Sequence, residues 1–123
     1  MEFSTGVLPE ARELSIQELA ILRRIIEWDF PARIHEIYRL KVIGRCRCGK
    51  CSTVFIGTLS TRIHLDLPAV PLAEYEGASE QGVAIGVALL TRAQQLSELE
   101  VWERGSGGHV EGLPNAYALV RSG

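Results

Sequence analysis

Residues 82–103 read GVAIGVALLTRAQQLSELEVWE, and they carry most of the information about the fold. With a period of two, Val83, Ile85, Val87 and Leu89 fall on one face of a strand and Ala84, Gly86, Ala88 and Leu90 on the other. A strand apolar on both faces belongs in the middle of a sheet. Its small face would admit a closely packed helix. After the break Arg92-Ala93-Gln94-Gln95 the alternation resumes, with Leu99 and Val101 facing one way and Glu98, Glu100 and Trp102 the other. Such a short connection makes antiparallel neighbours of the two strands.

Working outward, period two also marks residues 41–48, where Lys41, Arg45 and Arg47 alternate with Val42, Cys46 and Cys48. Gly49-Lys50 reads as a turn into a second strand over 52–59, making a hairpin. Arg62, His64 and Asp66 alternate with Ile63, Leu65 and Leu67, and a further strand covers 70–76. Upstream the period is helical. Ser15 and Glu18 form a capping box between Leu14 and Leu19 at the staple positions. Ile16, Leu19, Leu22, Ile25 and Ile26 make the apolar stripe, leaving Glu18, Arg23, Arg24 and Glu27 to water. Asp29-Phe30-Pro31 ends that helix and opens a shorter one over 31–39. These elements predict an α+β fold: two N-terminal helices packed on one face of a four- to six-stranded antiparallel meander. The expected core is Leu19, Leu22, Ile26, Ile34, Val54, Ile56, Ile85, Val87, Leu99 and Val101.

The chain has 123 residues, the size of one domain, with residues 1–13 as a loose lead-in. Thirteen basic against fifteen acidic side chains exclude a strongly basic polyanion binder. No apolar run is long enough to span a bilayer, and the first residues lack a signal-peptide pattern. An odd cysteine count, three, fits a reducing compartment, so a cytoplasmic location is expected. Charge is uneven: residues 1–62 carry ten basic and seven acidic groups, residues 63–123 three and eight.

Cys46, Cys48 and Cys51 form the cluster with metal-like spacing. Thiolates at C-x-x-C spacing can fill two corners of a zinc tetrahedron and Cys46 a third. The fourth ligand would be His64, His109 or His35, with His64 favoured because it lies on the next expected strand. Two other readings compete: small buried hydrophobes, or a redox pair at Cys48 and Cys51. The β-branched residues that follow the motif deny the redox pair a helix N-terminus. Arg39, Lys41, Arg45, Arg47 and Lys50 make a basic patch without interleaved aromatics, which reads as a solvated face and speaks against nucleic acid. Glu98, Glu100 and Trp102 suggest a docking face, since Trp is enriched at interface hot spots; alternatively the 105–114 loop covers the indole. His64 and Asp66 lack a nucleophile placed beside them. Ser15, Ser52 and Ser97 lack a nucleophile-elbow setting, and no phosphate-binding glycine motif is present.

The helix over Glu13–Ile26, the Asp29–Pro31 break, the Cys46–Ser52 hairpin and the Leu96–Trp102 strand together resemble a family of small uncharacterised bacterial proteins frequent in actinomycetes. That family's hairpin usually reads C-x-C-G-C; here Lys50 precedes Cys51. The resemblance implies no activity for any residue. Small α+β proteins of this kind are also similar in size and class to immunity proteins that accompany bacterial toxins. The expectation is a non-enzymatic cytoplasmic protein-binding module, whose oppositely charged segments would take a protein partner or a second copy. The alternative is a small structural-zinc or nucleic-acid-associated domain built on Cys46, Cys48 and Cys51.

Overall fold

A computed structural model describes residues 7–58 and 67–122. Strand β1 (Val7–Arg12) comes first, then helix α1 (Ile16–Asp29) and a 3₁₀ segment, Pro31–Arg39. Strands β2 (Lys41–Cys46), β3 (Val54–Gly57), β4 (Val70–Ala78), β5 (Ala84–Arg92) and β6 (Gln95–Glu103) follow. A short 3₁₀ turn, Ala116–Ala118, leads into β7 (Val120–Arg121). The strands form one seven-stranded sheet in the order β1-β2-β3-β6-β5-β4-β7, antiparallel at every pairing.

This corrects the expected architecture of two N-terminal helices on a four- to six-stranded meander. The sheet has seven strands, and β1 precedes the helical region, so the helices are inserted between two paired strands. Only one of the two helical elements is an α-helix. In the 3₁₀ segment the apolar residues recur every third position, at Ile34, Ile37 and then Leu40. That spacing suits a helix of three residues per turn, whose i and i+3 side chains eclipse. The sheet is also not a simple meander, because β3 is followed in sequence by β4 but in space by β6. The expected strand around Arg62–Leu67 lies mostly outside the described residues.

Helix α1 begins where its local chemistry places it. The Glu18 amide donates to Ser15 Oγ at 3.0 Å, and the Ser15 amide donates to Glu18 Oε1 at 2.8 Å. The stripe that faces the sheet runs Glu18, Ile21, Leu22, Ile25 and Ile26, whereas Ile16 is 90% exposed. The four apolar members pack with Val42, Val54, Ile56, Ile85, Val87, Leu89, Leu99 and Val101. At about 1.5–3 kcal/mol per fully buried side chain, this face anchors the helix far more strongly than its cap does. Leu19 and Ile34, expected in the core, sit at its rim.

The helix covers the bulky face of β5, not the small one. On the opposite face Trp102 of β6 lies so close that a Cβ at Gly86 would stand 2.2 Å from the indole Cε2, so only glycine fits there. The β5–β6 hairpin turns through Ala93 and Gln94, both at positive φ, with the Arg33 guanidinium donating to the Gln94 carbonyl at 3.0 Å.

Glu18, expected in water, is 4% exposed. Its carboxylate takes two hydrogen bonds from Arg12, at the end of β1, at 2.8 and 2.9 Å. Burial pushes this carboxyl up, but Arg12 and the Ser15 amide outweigh it and hold it below the usual range. A depressed carboxyl contributes stability that is full above its unfolded pKa and lost as pH falls through the folded value. Glu18→Gln should therefore cost about 2 kcal/mol near neutrality. It should also flatten the acid limb of stability against pH, as read from urea midpoints between pH 7 and pH 3.

Candidate metal centre

The β2–β3 connection builds the first half of the site. Cys46 ends β2, and the Gly49 amide closes a turn onto the Cys46 carbonyl at 3.0 Å. Gly49 sits at φ 72°, in the left-handed region that glycine enters without strain. That turn aims the Lys50 and Cys51 amides at Cys48 Sγ, at 3.4 and 3.2 Å. Two N–H groups on one sulfur stabilise its thiolate.

The second half arrives from the far end of β6. The Gly107 amide donates to the Glu103 carbonyl at 2.7 Å and the Glu103 amide to the Gly108 carbonyl at 3.0 Å, which reverses the chain and lays His109 beside Trp102. The returning segment is fastened to the cysteine hairpin. Ser52 donates its amide to the Val110 carbonyl at 3.0 Å and accepts at Oγ from the Gly112 amide at 2.9 Å. His109 Nδ1 comes to rest 3.6 Å from Cys46 Sγ.

Cys46, Cys48, Cys51 and His109 thus form one group, with a ligand atom of each within 4.8 Å of every other, close enough to bind a metal ion. Bond lengths of about 2.3 Å to sulfur and 2.0–2.1 Å to nitrogen give a tetrahedral S···N edge of about 3.6 Å and an S···S edge of about 3.8 Å. The observed Cys46–His109 separation matches the first, so the donor set fits a tetrahedral metal after small adjustments. Cys51 is buried, Cys46 half-buried, and Cys48 and His109 exposed. All three thiols are free. The Lys50 and Cys51 amides lower the Cys48 pKa to about 6, and burial raises that of Cys46 to about 11.

The three cysteines singled out in the sequence are therefore brought together. His64, the favoured fourth ligand, lies outside the described residues, and His35 is exposed on the 3₁₀ segment. His109 takes that place; the signal that could have selected it is the glycine run 105–108, once β6 is known to run beside β3.

Of the other singled-out residues, Glu98, Glu100 and Trp102 share one face of β6, whereas the basic residues are spread out. Lys41 is ion-paired with Glu13, and Arg45 with Glu10 at 3.5 Å, while Arg39, Arg47 and Lys50 are exposed. Glu98 is 6% exposed and bound to Arg92 at 2.8 Å. Glu100 is half-buried, and burial, Glu98 and Glu74 raise its carboxyl. Among the described residues no helix is long and apolar enough to cross a membrane.

No protein-family model, no curated protein and no solved structure matches the chain.

In chelator-treated protein the exposed Cys48 should react first with iodoacetamide. Its rate should rise through about pH 6 and level off near neutrality, while Cys46 stays a thiol up to about pH 11. Mass mapping of the alkylated peptides against pH reads both.

Proposed function

We propose that the chain is a non-enzymatic, structural-zinc domain in which Cys46, Cys48, Cys51 and His109 hold one Zn²⁺. The observation that carries this reading is the convergence of four ligand atoms within 4.8 Å from two segments of chain far apart in sequence. Three sulfurs and one imidazole are a zinc donor set, and four protein ligands leave no open position for a substrate. The amides on Cys48 Sγ would orient that ligand from outside the coordination shell. Three thiolates on a divalent cation carry a net negative charge, and Arg47 and Lys50 lie in the same hairpin. The ion would tie the hairpin to the loop after β6 and so fix the end of the sheet. Such a centre needs reduced thiols, which supports a cytoplasmic location.

Protein purified without a histidine tag should contain one zinc per chain by metal analysis. Chelation should lower the melting temperature by about 10 °C or more, and Cys48→Ser should do the same while losing the metal. Because Cys48 is exposed, its packing contribution is small, so a large loss reports the ion. Metal-free protein whose melting temperature ignores both chelator and zinc would overturn the reading.

A second reading, the protein-binding module, has its own support. Ile16 and Tyr117 are 90% and 81% exposed at the rim of a cleft of about 410 Å³ whose walls include Ala20, Leu113 and Pro114. Large apolar side chains beside a concave surface are a common form of interaction site. Affinity capture from a bacterial lysate with wild type and with an Ile16→Asp/Tyr117→Ser variant tests it. Partners lost only by the variant support this face; identical partner sets remove it.

A further inference from the structure

We propose that the cavity beside the cysteine cluster binds a small alkylated ammonium cation, with Glu100 as counter-ion and Phe55 and Trp102 as aromatic walls. The cavity, about 270 Å³, is lined by these three residues together with Thr53, Glu98 and two members of the cysteine–histidine group, Cys46 and His109. That volume is just below the usual range for ligand pockets and suits one head group rather than an extended molecule.

The sheet register explains how the walls come together. Three rows of side chains cross the helix-free face: Leu90, Glu98 and Phe55; Glu74, Ala88 and Glu100; Glu76, Gly86 and Trp102. On β6 the acidic Glu100 is therefore flanked by the row that ends in Phe55 and the row that ends in Trp102.

Charge then selects the ligand. Glu98 is already matched by Arg92, and Glu76 by Arg104 at 2.9 Å. Glu100 has no hydrogen bond or ion pair among the described residues, and its nearest charged influences are the carboxylates of Glu98 and Glu74. An unpaired, half-buried carboxylate is costly, and a cation relieves that cost. Thr53 Oγ1 donates to the Val101 carbonyl and accepts from the Val101 amide, so its hydroxyl is engaged. A guanidinium, with five N–H donors, would leave most of them unmet here. An alkylated ammonium needs no such acceptors and is attracted by aromatic faces and one carboxylate.

The cavity shares Cys46 and His109 with the candidate metal centre, but the three residues assigned to the cation, Glu100, Phe55 and Trp102, are not ligands of that centre, so the inference goes beyond the zinc reading. Calorimetric titration with choline and with its uncharged isostere 3,3-dimethylbutan-1-ol tests it, on protein whose metal content has been measured so that the two readings fail separately. Choline should bind saturably and at least tenfold more tightly than the isostere. Glu100→Gln, checked for fold by circular dichroism and urea midpoint, should weaken choline at least tenfold. A trimethyllysine peptide that binds more tightly than choline assigns the cation to a partner's side chain, and the reverse order to a free molecule. Equal affinity for choline and its isostere, an unchanged Glu100→Gln variant, or no saturable binding of either cation overturns the proposal.

Discussion

Strand β5 must satisfy two unlike neighbours at once, and the rest of the molecule is arranged around how it does so. Ile85, Val87 and Leu89 fill the space under α1, while Gly86 and Ala88 leave room on the other face. The indole of Trp102 occupies the room over Gly86. Any side chain there would displace the ring, and with it the end of β6 from which the chain doubles back. Trp102 is bridged to His109, so the position of the imidazole beside Cys46 is inherited from a glycine one strand away. Packing thus sets the geometry of the cysteine–histidine group on its own.

What the sequence disclosed was whatever depends on near neighbours. The α1 start was legible because Ser15, Glu18 and the leucines around them are a few residues apart. The alternation in β5 and β6 was legible for the same reason. Strand β1 was not, since Val7–Arg12 contains Pro9 and no clean alternation, and β7 is only two residues long. Burial of Glu18 has no local signal either: a capping glutamate ordinarily faces water, and only the arrival of Arg12 from a neighbouring strand makes its burial tolerable. The three cysteines could be grouped by spacing alone. The choice of histidine depended on strand order, and the assumption that consecutive strands pair favoured His64 over His109.

The C-terminal end is secured by chemistry of another kind. Asp29 at the end of α1 accepts from Tyr75 Oη at 2.5 Å and pairs with Arg121 at 2.6 Å. Trp28 lies between Arg24, 3.5 Å from its ring centre, and Arg121, at 5.8 Å. This polar and aromatic clasp fastens the two-residue β7 to the end of α1.

The pairing of β3 with β6 is short, with Val54 opposite Leu99 and Phe55 opposite Glu98. It joins a three-stranded part, β1-β2-β3, to a four-stranded part, β6-β5-β4-β7. Within each part the pairings are mostly between sequence neighbours; across the junction they span more than forty residues. Beyond those two residue pairs the parts are joined by the apolar face of α1, which packs on Val42, Val54 and Ile56 of one and on Ile85, Val87 and Leu89 of the other. The cysteines belong to one part and the histidine to the other. An ion shared between them would add a further tie across that junction, on residues that α1 does not hold.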